Sequence, residues 1–193
     1  MIGLNESVGG VPLYQFKITL KWSKPPIWRR VVVRADMKLN RFHDVIQLVM
    51  PWTNSHLHQF IVGQVFYGMK SPEFEDDLDT LDEKRYRVSD LATAPKARFI
   101  YEYDFGDGWE HEILLEKILQ PDTTFKHPIC LAGANACPPD DCGGIPGYYN
   151  LLEVLADPMH PEHAQLKGWI GGKWDAEQFD LDETNSHLKK LKA

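Results

Sequence analysis

The chain has 193 residues, 43% hydrophobic and 25% charged, with a net charge of −7. That is enough apolar material for a packed core, so a disordered chain is excluded, and no apolar run approaches the roughly 20 residues of a membrane span. Three cysteines make no disulfide framework, and no basic segment leads into an apolar core at the start, so a reducing, cytoplasmic location without a membrane partner is expected.

From Tyr14 to Trp22 apolar and polar residues alternate, with Tyr14, Phe16, Ile18, Leu20 and Trp22 on one face of a half-buried strand. Pro25-Pro26 break it, and Ile27 to Arg34 reads as a second strand. Asn40 can cap a helix with Phe42, Val45, Ile46, Val49 and Met50 at helical spacing, which Pro51 stops. Leu57 to Val62 and Val65 to Tyr67 read as strands around a Gly63-Gln64 turn. The acidic block Glu73 to Glu83 reads as a solvated loop, Tyr86 to Val88 as a short strand, and Ser89 as the start of a turn or short helix.

The clearest hairpin runs through Gly106-Asp107-Gly108. Phe99, Tyr101, Tyr103 and Phe105 share one face, and Trp109, His111, Ile113 and Leu115 share a face of the return strand. A three-residue loop would pair Phe105 with Trp109, Tyr103 with His111 and Tyr101 with Ile113, keeping the apolar face whole. It leaves Glu102, Asp104, Glu110 and Glu112 on the opposite face, where nearby cations must offset them. Pro121 to Gly147 is rich in Pro, Gly and Cys and reads as an ordered or metal-tied loop. Leu151, Leu152, Leu155 and Ala156 mark a helix ending near Asp157-Pro158. A second helix starts near Pro161 and stops at Gly171-Gly172, and a third spans about Asp182 to Leu191. The expectation is an α+β fold, with a mixed or antiparallel sheet, one early helix and a C-terminal group of helices. It forms a single domain over residues 1–193: sheet-rich 12–118, Cys/Pro/Gly loop 121–147, helical 148–193.

Charge is unevenly spread. Residues 17–41 carry +7 and the remainder −14. The basic stretch, with Arg29 and Arg30 at its centre, reads either as a phosphate-contacting face or as cations paired with the protein's own acids.

Five ordered segments carry a resemblance along about Tyr14 to Leu191. They are Tyr14 to Ile18, Pro25-Pro26-Ile27-Trp28-Arg29-Arg30, Trp52-Thr53-Asn54-Ser55-His56-Leu57-His58, Tyr103-Asp104-Phe105-Gly106-Asp107-Gly108-Trp109-Glu110-His111, and Cys137-Pro138-Pro139-Asp140-Asp141-Cys142-Gly143-Gly144. With these the chain resembles the plasmid pRiA open-reading-frame-three-like family, whose members also carry the label insertion-sequence passenger TnpR-like protein. The resemblance implies a soluble α+β domain, sometimes encoded on plasmids or mobile elements. The label implies a resolvase, which the residues do not support. Tyr86-Arg87-Val88-Ser89 only approximates a serine-recombinase motif, and it lies mid-chain with its Arg shifted by one.

Three candidate sites follow from residue chemistry. His127, Cys130, Cys137 and Cys142 lie in one loop and offer a structural zinc set, against a reading as packed thiols and a surface imidazole. His56 and His58 share a strand face about 7 Å apart. With His111 or Asp107 as a further ligand they could hold a water-activating metal, with Asp104 or Glu110 as general base, against a reading as partly buried side chains. Trp52, Tyr101, Tyr103 and Trp109 offer a stacking platform or core packing. Asp140 and Asp141 read as metal-supporting or solvated. The leading expectation is a non-enzymatic binding module with a protein or nucleic-acid partner. The alternatives are a metal-dependent hydrolase using the His-x-His strand, or a zinc-stabilised scaffold.

Overall fold

The computed structural model describes residues 10–70, 80–171 and 174–191. The architecture is α+β. Eight strands, β1 (Leu13–Leu20), β2 (Trp28–Arg34), β3 (His58–Val62), β4 (Val65–Gly68), β5 (Leu81–Asp82), β6 (Arg98–Tyr103), β7 (Trp109–Leu119) and β8 (Ile129–Ala134), form one sheet in the order β5-β4-β3-β6-β7-β1-β2-β8. All pairings are antiparallel except β4 with β5. The helices are α1 (Leu39–Val49), α2 (Val88–Leu91), α3 (Gly144–Ala156), α4 (His163–Trp169) and α5 (Leu181–Leu188). No helix among the described residues is long and apolar enough to cross a membrane.

The period-two pattern sets the core. Phe16, Ile18, Val31, Val33, Phe60, Phe99, Ile113 and Leu115 form the sheet's inner face, and Phe42, Val45, Ile46 and Val49 of α1 belong to the same core. The outer face holds the charges: Lys21 pairs with Glu110 at 2.5 Å, Arg30 with Glu116 at 2.6 Å, and Arg98 with Glu112. The basic strand thus supplies two of the cations that the outer-face glutamates need.

Several expectations are corrected. β1 ends at Leu20, and Trp22 sits in the following turn with positive φ, 56% exposed. The start of α1 has no side-chain cap; the helix begins at Leu39, with Asn40 inside its first turn, and Leu39 N–H donates to Tyr86 O of the segment before α2. Residues 73–79 of the acidic block lie outside the described residues, as does Gly172. The block's end is not solvated, since Leu81–Asp82 pairs with β4 and Glu83 is buried. Tyr86 to Val88 makes a single bridge, Lys38 with Arg87, before α2. The 121–147 loop conceals β8, whose small residues gave no alternation to read.

The β6–β7 register is Tyr103 with Trp109, Tyr101 with His111 and Phe99 with Ile113, two residues from the expected pairing. An even shift keeps every side chain on its face, so parity could not detect it. The loop is longer because Asp104 leaves the strand. Its backbone is left-handed (φ 55), and its N–H turns to Leu57 O at 2.9 Å. Phe105 is consequently exposed rather than inward.

Arg29 occupies the inner face of β2, 2% exposed. Its Nε donates to Val49 O at 2.8 Å, Nη1 to Trp28 O and Ala134 O, and Nη2 to Asn135 O, and the guanidinium lies 4.1 Å over the Phe179 ring. It joins the sheet, the C-terminal end of α1 and the strand end of β8, where a cation also meets the helix dipole favourably. Arg29→Met withdraws four donors from buried carbonyls and should cost about 3–5 kcal/mol in urea unfolding, with Arg29→Lys recovering part of it.

Candidate functional site

Three loops meet at the end of the sheet where β6 stops and β3 begins. The first runs from α1 to β3 and carries His56, the second joins β6 to β7 and carries Asp104, and the third joins β8 to α3 and carries Asp141. His56 Nε2 lies 3.6 Å from Asp104 Oδ2 and 3.0 Å from Asp141 Oδ1. One donor atom from each of the three residues lies within 4.8 Å of the others, and no other such group of three exists among the described residues.

Each loop is held by the others. Thr53 N–H and its hydroxyl donate to Asp140 Oδ2, tying the His56 loop to the Asp141 loop. Asn54 N–H donates to Gln47 Oε1, and Ser55 N–H donates to Tyr103 Oη. Asp107 Oδ2 accepts from Gly143 N–H at 3.0 Å, tying the hairpin loop to the Asp141 loop. Gly144 (φ 66) passes so close that a Cβ would stand 2.4 Å from Asp107 O, so a side chain there would push the loops apart. Asn54, Asp104 and Asp141 all have positive φ, a costly conformation that packing must impose.

Asp104 Oδ1 accepts from Gly106 N–H at 2.9 Å, which leaves Oδ2 to face His56. His56 Nε2 is cut off from solvent yet makes no hydrogen bond: Asp104 Oδ2 is too far at 3.6 Å, and Asp141 Oδ1, at 3.0 Å, lies off the direction an N–H would need. An unbonded ring nitrogen with two carboxylate oxygens within 3.6 Å is a donor set that a cation could share.

The structure separates most of the other expected partners. His58 pairs with buried Glu83 at 2.8 Å and stacks on His43 at 3.5 Å, so the His-x-His pair does not share one centre. His111 is fully buried. Its Nδ1 lies 3.0 Å from Trp109 O and so carries the proton, while Nε2 is enclosed without a partner. Glu110 faces the other side of the sheet, paired with Lys21. Tyr103 and Trp109 have no exposed surface and Trp52, 7% exposed, packs at a tilt against both, so the three form the floor of the site rather than a platform for a base. No three of His127, Cys130, Cys137 and Cys142 come together: Cys130 and Cys137 are buried, and His127 turns to its neighbour Pro128 O. Burial, then Asp107, pushes the Cys142 thiol up to about 12, so without a metal it is a neutral thiol at neutral pH.

Seven of the eight cations of the basic stretch are engaged internally. Besides Lys21, Arg29 and Arg30, Arg34 pairs with Asp36, Arg41 with Asp44, Lys38 donates to Arg85 O, and Lys17 lies 4.9 Å over Trp28. What the sequence reading missed was Asp141 as His56's partner. The adjacent Asp140-Asp141 pair was the available signal, since only one of two neighbouring carboxylates was needed to brace Thr53.

Burial holds His111 down to about 4, against 6.5 for a free imidazole. The unfolded chain therefore takes up a proton below pH 6.5 that the folded chain refuses until pH 4. Stability linked to His111 is complete above 6.5 and drains away as pH falls to 4, by about 3 kcal/mol in all. His111→Gln should narrow the difference between urea unfolding free energies at about pH 7 and about pH 4.5 by most of that amount.

A profile of the family described as "Plasmid pRiA4b ORF-3-like protein" matches residues 12–183. The chain is 37% identical over 181 residues to the uncharacterized protein y4hQ of Sinorhizobium fredii, covering 93% of this chain and 92% of that one. It also matches the crystal structure of a protein of unknown function, MM3350 from Methanosarcina mazei Go1, with a TM-score of 0.80 and 34% identity over 90% of this chain and 98% of that one. With the match running from the first strand into the last helix, the chain belongs to the plasmid pRiA4b ORF-3-like family.

Proposed function

We propose that the protein is a divalent-metal-dependent hydrolase whose centre is His56, Asp104 and Asp141. The observation that carries this reading is the enclosed, unbonded Nε2 of His56 flanked by two carboxylate oxygens. One imidazole nitrogen and two carboxylate oxygens suit Mg²⁺, Mn²⁺, Fe²⁺ or Zn²⁺. Three protein donors leave positions for water and substrate, and a bound cation would acidify that water.

The chain's own residues do the positioning. Asp104 Oδ1, committed to Gly106 N–H, directs Oδ2 inward. Asp140 and Asp107 brace the loops from outside the donor set, so donors from three separate segments need little reorganisation to bind. Asp141, 68% exposed, marks the open side through which water and substrate would enter. A nucleic-acid-binding module has no comparable observation behind it, since most cations of the basic stretch are engaged within the chain.

Chelator-stripped protein titrated calorimetrically with Mn²⁺ and Zn²⁺ should take up one equivalent per chain. The near-isosteric Asp104→Asn should weaken binding by about a hundredfold while leaving the thermal transition in place. Ester, amide and phosphoester substrates, offered with metal and then with chelator, test the hydrolytic half. Uptake of neither ion, or equal affinity in Asp104→Asn, removes the centre.

A further inference from the structure

Next to His56 a cavity of about 440 Å³ opens between α1 and the start of β3. Its polar walls are His43, Asp44, Asn54, His58 and Glu83, with His56 at one end. Glu83 is 3% exposed and receives only His58 Nε2, at 2.8 Å, among the described residues. Asp44 is bonded by Arg41 from outside the cavity.

Tyr101 Oη accepts from Gln47 Nε2, and its proton has His43 Nδ1 as acceptor at 2.8 Å. His43 Nε2 then carries the ring proton and donates it to Asn54 Oδ1 at 2.8 Å. His43 is therefore neutral, in keeping with a pKa that burial and the adjacent His58 bring down to about 3. The two rings stack at 3.5 Å and 9°, an arrangement that two imidazolium ions would not tolerate. The walls thus hold two carboxylates, a neutral His43, the stacked His58 beside Glu83, His56 at the side of the centre, and no Lys or Arg among the described residues.

Such a cavity repels an anion and attracts a cation. Among the described residues, Asp44 and Glu83 do not belong to any three-donor group that a metal ion could share. Leu57 and Met69, exposed and apolar, complete the wall and could cover a methylene stem. We propose that this cavity is a subsite for a primary ammonium or guanidinium group on an alkyl stem, so that the substrate cleaved at the adjacent centre is cationic. The substrate half of this proposal rests on the hydrolase reading above; the binding half does not. The ammonium would meet Glu83 and Asp44 while the stem runs past the His43–His58 stack toward His56, placing a bond several atoms away at the centre.

The test is a nuclear magnetic resonance titration of metal-free full-length protein, in chelator, with n-butylamine, n-butanol and butyrate, which share length and differ in charge. Butylammonium should shift resonances of Asn54, His56 and His58 saturably, and the other two should not. Glu83→Gln and Asp44→Asn should each weaken butylammonium by about tenfold, and Asp44, on the cavity rim, keeps the test alive if the Glu83 variant unfolds. Because the titration is run without metal, metal uptake by Asp104→Asn, measured separately, reports on the centre and not on the subsite. Equal shifts with butanol, stronger shifts with butyrate, no shifts with any probe, or full affinity in Asp44→Asn would each overturn the subsite.

Discussion

The buried guanidinium of Arg29 is the contact on which the rest of the structure depends. It binds carbonyls at the end of α1 and at the end of β8, the two elements from which the His56 loop and the Asp141 loop depart. A cation buried without a carboxylate is costly unless its donors are all well used, and here backbone oxygens from three segments do that. Because the guanidinium is planar and forked, it fixes their relative positions as well as their distances. The side chain that reads as a phosphate ligand in the sequence is therefore an internal joint.

From that joint outward, short carboxylates brace the loops. Asp140 holds Thr53, Asp107 holds Gly143, and Asp104 holds its own turn through Gly106. Asn54, Asp104 and Asp141 take left-handed backbone conformations in these loops, which short amide and carboxylate side chains tolerate better than other residues but which still need support from the surroundings. Strain of this sort persists only where the surroundings over-determine it, and its concentration at one end of the sheet agrees with a preorganised centre. The floor beneath is aromatic: Trp52, Tyr103 and Trp109 exclude water from below while the exposed Asp141 leaves the top open.

The histidines divide by environment. His111 and His43 are neutral because burial penalises their charge. His58 lies against a buried carboxylate, and His56 alone meets two carboxylates in a half-exposed position. The same residue type thus supplies a packed ring, a hydrogen-bond relay, one half of an ion pair and a candidate ligand, according to what the fold places against it. The acidic surplus of the chain is used in the same way, around the centre and the adjacent cavity.

The α+β class, most strands, α1 and the inward face of each strand were legible in the sequence, because hydrophobic periodicity is a local property set by the two-residue and 3.6-residue repeats. The convergence of the His56, Asp104 and Asp141 segments was visible only as three motifs along the chain. Which imidazole meets which carboxylate was not legible, since His56 is separated by 48 residues from Asp104 and by 85 from Asp141. Nor was the hairpin register, since an even slip conserves the face of every residue. Local pattern determined what each segment forms. Long-range packing alone decided that His58 goes to Glu83, that Arg29 goes to four carbonyls, and that His56 remains for the two aspartates.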